Sequence, residues 1–169
     1  MRKAQEAPRT DFAYALIYSL APGCTMVFND PAREAFVRYN MNEQFEVIHD
    51  WLAHKIAAML GTVIYDTTPT MLYRQHGNNV IGAQNDSALV KFFKRVKRVM
   101  GAYACVRSET AKSLYAVYGD EIDEEKKRLV SMVAFYREDK AQKKAFLRAK
   151  QFELEEQSPL KWVIRLNKV

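Results

Sequence analysis

Apolar and polar positions divide this chain into two regimes. Up to about residue 85, short apolar runs are broken by Pro, Gly and Asn; from Ser87 onward, apolar residues recur at helical spacing. In the first regime, Phe12 to Leu20 suits a short helix stopped by Pro22 and Gly23. Thr25 to Phe28 (TMVF) follows as a short buried strand, rich in branched and aromatic residues. Asp30 as N-cap with Pro31 in the first helical position predicts a helix from Pro31 to Tyr39. A second begins near His49 and Asp50, with Leu52, Ile56, Met59 and Leu60 on one face and Gly61 as its stop. Thr62 to Asp66 and Thr70 to Arg74 are strand candidates around a turn at Thr67 to Pro69.

The second regime predicts helices alone. Leu89, Phe92, Phe93, Val96, Val99, Met100 and Tyr103 keep one phase, and the pattern can run to Tyr118 before Gly119 ends it. Further helices fit Asp123 to Arg137 and Glu138 to Glu156. Ser158 and Pro159 open a last short one with Trp162, Val163 and Leu166. The expected fold class is thus α/β at the start, followed by an all-helical region, with a boundary near residue 85: 1–85 and 86–169.

Charge sharpens that boundary. Residues 1–80 hold 7 Lys/Arg against 8 Asp/Glu, whereas residues 81–169 hold 19 against 12, so the second part carries all of the excess positive charge. Five of the eight residues in Lys91 to Arg98 are basic, a stripe that suits phosphates, an acidic membrane surface or nucleic acid, and equally a solvated helix face. At 49% hydrophobic and 12% aromatic, the 169 residues can bury a sizeable core, which argues against disorder. No apolar run approaches the roughly 20 residues needed to span a bilayer, and the polar start to Thr10 does not read as a signal peptide. The expected location is cytoplasmic, at most peripheral to the inner face of the cell membrane. Cys24 and Cys105 lack metal or disulfide spacing and read as buried reduced thiols.

Three runs can carry chemistry. In Gly23-Cys24-Thr25, with Asn29 beyond, a glycine permits close backbone approach while Thr and Asn can bond sugar hydroxyls; a glycine turn entering a strand fits the same residues. In His49-Asp50-Trp51, a carboxylate at a helix start beside an aromatic ring can act as a general base or simply cap the helix. Tyr73-Arg74-Gln75-His76-Gly77-Asn78-Asn79 is the densest polar run, with Arg suited to phosphate and His to a metal or a hydrogen bond. Phosphate-binding glycine loops, HExxH and GxSxG are all missing from the sequence.

Taken in order, GCTMVFN, HDW and LYRQHGNNVIGA resemble the C-terminal half of family-two glycosyltransferases, particularly rhamnosyltransferase-like members. The resemblance is close over Phe12 to Ala83, and the FFKR-type helical remainder resembles the looser tail of the same proteins. It implies a partial GT-A-type core and inverting transfer of a sugar such as rhamnose from a dTDP- or UDP-sugar to a glycan or lipid-linked acceptor. It further implies a role in cell-surface polysaccharide or O-antigen synthesis, with a divalent metal, Mn2+ or Mg2+, in the complete enzyme. Asp50 would be the catalytic base, and Gly23, Cys24 and Thr25 would line the acceptor side. His49 and Trp51 would help wall the sugar site. His76 would contact the metal and diphosphate, with Arg74, Gln75, Asn78 and Asn79 binding substrate. No DxD pair and no nucleotide-binding strands precede the GCT run, so the expected chain is the acceptor-side half: a fragment, one part of a split enzyme, or an inactive remnant. A homodimer, or pairing with the missing N-terminal half, would cover its open strand edges. The rival reading is a basic helical module for nucleic acid or a protein partner, which leaves HDW and YRQHGNN without a role.

Overall fold

The computed structural model describes residues 8–20, 22–40, 49–68, 106–152 and 164–165. Arg74, Gln75, His76, Asn78, Asn79, the third strand candidate and the Lys91 stripe lie outside them. Among the described residues the elements are α1 (Phe12–Ile17), α2 (Asp30–Asn40), α3 (His49–Leu60), α4 (Val106–Tyr118), α5 (Glu124–Phe135) and α6 (Lys140–Arg148). Single 3-10 turns occupy Gly23–Thr25, Gly119–Glu121 and Lys150–Phe152. No helix among these residues is long and apolar enough to cross a membrane.

Side-chain caps set most of the helix starts. Asp11 accepts the Tyr14 N–H at 3.1 Å and is itself gripped by the Arg9 guanidinium at 2.6 and 2.8 Å. Burial pushes the Asp11 carboxyl up, but Arg9 and the Tyr14 amide outweigh it and hold the group below its ordinary value. Asp123 and Asp139 cap α5 and α6 in the same manner. For α2 the cap is not Asp30, as expected, but Asn29. Asn29 Oδ1 accepts from the Ala32 amide at 3.1 Å, and its carbonyl accepts from Arg33 at 3.0 Å. Asp30 therefore stands inside the first turn, where its charge still complements the helix dipole.

α1 packs against α3, α4, α5 and the Lys150–Phe152 turn, so helices from both ends of the sequence meet on it. Along α3, Leu52, Ile56 and Met59 are buried as their spacing predicts, and Gly61 closes the helix by donating to the Ala57 carbonyl at 2.9 Å. α4 and α5 share the most extensive helix pairing, burying Leu114, Tyr118, Leu129, Val130 and Val133. Tyr118 also reaches α2, donating its hydroxyl to the Ala35 carbonyl at 2.6 Å while Arg38 lies 4.8 Å over its ring. The long helix expected from Glu138 to Glu156 stops at Arg148. There the backbone turns through Lys150–Phe152 and seats Phe152 against Phe146, ring centroids 4.9 Å apart.

Neither of the described strand candidates pairs into a sheet among the described residues. Thr25 closes a 3-10 turn, and beyond it Val27 is 97% exposed and Phe28 is also exposed, which corrects the expectation of a buried strand there. Ile64, in Thr62 to Asp66, is 88% exposed. Both segments hold β-forming residues without a neighbouring strand among the described residues, and a strand is stabilised chiefly by cross-strand contacts.

Candidate functional site

The start of α3 and the Gly23–Thr25 turn meet, with Gly23 set against His49 and Asp50. A Cβ at Gly23 would lie 3.1 Å from His49 Nε2 and 3.4 Å from Asp50 Cβ, so the absence of a side chain is what lets the turn close on the helix. Thr25 Oγ1 donates to the Pro22 carbonyl at 2.8 Å, which fixes the turn and leaves the hydroxyl oxygen able to accept. The Cys24 thiol is free and exposed, not buried as its small size suggested. Of the residues singled out from sequence, Gly23, Cys24, Thr25, His49, Asp50 and Trp51 thus come from two neighbouring elements.

Asp50 is 9% exposed. One carboxylate oxygen, Oδ1, accepts the Trp51 amide at 2.8 Å, satisfying one of the orphan N–H groups at the helix start. Both readings of this residue therefore meet in one side chain: it completes the helix end and still presents a second oxygen to bond or accept a proton. The positive end of the α3 dipole favours negative charge at this position.

Below Asp50 the sequence reading missed a buried cationic cluster. Lys55 is 3% exposed, yet its ammonium makes no hydrogen bond or ion pair among the described residues; Nζ rests 5.6 Å from the centroid of the Trp51 ring. Arg107, from α4, places its guanidinium carbon 5.8 Å from the same centroid and donates through Nε to the Ile17 carbonyl at 2.9 Å. Burial and the nearby Arg107 charge push the Lys55 ammonium down to about 7, against the opposing pull of Asp50. The adjacent His54 is equally buried, and neither ring nitrogen finds a hydrogen-bond partner among the described residues. Burial, reinforced by Lys55, lowers its imidazole to about 4. The Tyr18 backbone, short of a full hydrogen bond, and the more distant Asp11 oppose this only in part. One signal for Lys55 was present in the sequence, a lysine set between the buried positions Leu52, Ala53 and Ile56. Arg107 carried none, because it arrives from a helix 52 positions later by way of the tertiary fold.

Among the described residues, no three His, Cys, Asp or Glu side chains converge where a metal could sit, and His76, expected to face the metal, is outside them. What the described site can do is proton transfer at Asp50, hydroxyl recognition at the Gly23–Thr25 turn, and attraction of anions toward Trp51.

No family model matches the chain, and no solved structure does. Over 123 residues the chain is 33% identical to the dTDP-rhamnosyl transferase RfbG of Shigella flexneri, a match that takes in 70% of this chain and 40% of that protein. The chain therefore spans less than half the length of this relative, and its resemblance is to a rhamnosyltransferase-like glycosyltransferase.

Proposed function

We propose that this chain forms the acceptor-side, catalytic-base part of an inverting family-two glycosyltransferase built on a GT-A-type core. The observation that carries the reading is the contact of the Gly23–Thr25 turn with His49 and Asp50, within a chain that is 33% identical over 123 residues to a dTDP-rhamnosyl transferase. The donor is a nucleoside diphosphate sugar, dTDP-rhamnose first among them. The acceptor is a hydroxyl of a glycan, lipid-linked during cell-surface polysaccharide synthesis at the cytoplasmic face of the membrane.

In this reading the acceptor hydroxyl lies between the turn and Asp50. Its oxygen attacks the anomeric carbon as Asp50 takes the proton; the new C–O bond forms while the bond to the diphosphate breaks, and the nucleoside diphosphate leaves with the electron pair. Attack from the face opposite the leaving group inverts the anomeric centre. The partial burial of Asp50 excludes competing water, and Trp51 walls the sugar. Arg74, His76 and a divalent cation belong to the diphosphate side of this proposal, together with the nucleotide-binding part that this sequence lacks a motif for.

The test is rhamnosyl transfer from dTDP-rhamnose to a lipid-linked acceptor, measured with the chain alone and with the remainder of the Shigella relative supplied as a second polypeptide. We expect transfer on reconstitution, reduced by about 100-fold or more in Asp50→Asn. No transfer under either condition, or full transfer by Asp50→Asn, would overturn the reading.

A further inference from the structure

Within the cluster beneath Asp50, the Lys55 ammonium has no partner for its charge among the described residues. Lys55 is almost wholly buried without a hydrogen bond or ion pair among the described residues, and a second cation, Arg107, faces the same indole. Buried ammonium groups are ordinarily paired, because an unpaired one forfeits its hydration without return. Asp50 does not pair with Lys55: no ion pair joins them, and Asp50 Oδ1 is turned to the Trp51 amide. Trp51 and Arg107 are only half-buried, in contrast to Lys55.

We propose that Lys55, Arg107 and the edge of Trp51 form a binding pocket for a phosphate-bearing ligand, held one helical turn from Asp50. The ammonium supplies a buried point charge, the guanidinium a second positive charge nearby, and the indole a wall. A diphosphate could reach the pocket from a nucleotide sugar or from a lipid-linked acceptor, and both present the same chemistry. The identity of that ligand rests on the transferase reading; the pocket itself does not.

The full chain is titrated with inorganic pyrophosphate at fixed ionic strength, comparing wild type with Lys55→Met and with Lys127→Met, which removes the same charge from the surface of α5. We expect saturable binding that weakens roughly tenfold to a hundredfold in Lys55→Met, the range of one charge-assisted hydrogen bond, and is unchanged in Lys127→Met. Lys55→Met should melt no lower than wild type, since a side chain of similar length replaces a buried charge without a partner, so lost binding will not reflect lost folding. Absence of saturable binding at millimolar pyrophosphate, equal binding by Lys55→Met, or an equal loss in Lys127→Met would each overturn the pocket. Parallel titrations with dTDP and with a short prenyl diphosphate assign the source: the one that binds more tightly than pyrophosphate identifies the donor or the acceptor side. Lys55-dependent pyrophosphate binding without any sugar transfer would sink the transferase reading alone, and transfer without such binding would sink the pocket alone.

Discussion

His54 shows how one buried side chain can set the acid response of the fold. Its imidazole ionises near 6.5 when free and at about 4 in the folded chain, so between those values the unfolded chain binds more protons. Stability tied to this group is therefore complete above pH 6.5 and is lost as pH falls toward 4, to a total of roughly 3 kcal/mol. His54→Leu should flatten that acid limb without loss at neutral pH, because it removes two buried nitrogens that lack partners among the described residues. Urea midpoints of both proteins at pH 7 and 4.5 check this, and an identical acid loss in the variant would refute it. At this scale the sequence was legible in part. The turn at Gly23 and the helix start at His49-Asp50 could be placed from residue types alone, because glycine and a carboxylate at a helix start carry local physical meaning, while a functional role for them came only with the family resemblance. Lys55 left one signal, its place between buried apolar positions, but the state of His54 and Lys55 could not be read, since it depends on what α1 and α4 bring over them.

At the level of elements, caps and helical periodicity read well and edges read poorly. The spans near Phe12, His49 and Glu124 follow from phase and stop signals. The start of α2 fell one residue from its expected cap because Asn29 and Asp30 are both good capping residues, and only the backbone decides which side chain reaches back to the third amide. Asn29→Ala should therefore cost about 1 kcal/mol, and Asp30→Ala distinctly less. Thermal denaturation of the two variants decides the order, and a larger loss in Asp30→Ala would return the cap to Asp30. The strand candidate at residues 25–28 was misjudged in burial for a physical reason. Branched and aromatic composition records a liking for a pleated, half-covered surface, but says nothing about whether a neighbour is there to cover it.

For the whole molecule, those same segments leave apolar side chains in water, with Val27, Phe28, Ile64 and Tyr65 all exposed. Replacing Val27 and Ile64 together with Lys should change the melting temperature little, since neither is buried, while raising the concentration at which the chain begins to self-associate. Sedimentation over a concentration series measures the second effect; a large fall in melting temperature would mean that these residues are covered in solution. The described helices from residue 106 to 148 were legible because helices are closed locally, whereas sheet pairings join distant segments, which no local pattern records. A last consequence follows from Arg107, which holds the Ile17 carbonyl at the end of α1 and flanks the Trp51 ring with the same guanidinium. In a laboratory selection for heat resistance alone, position 55 should drift readily toward apolar residues, while position 107 should stay arginine because α1 hangs on it. The two neighbours of one indole would then part ways under selection, and the evolved chains would be hardier and ligand-blind.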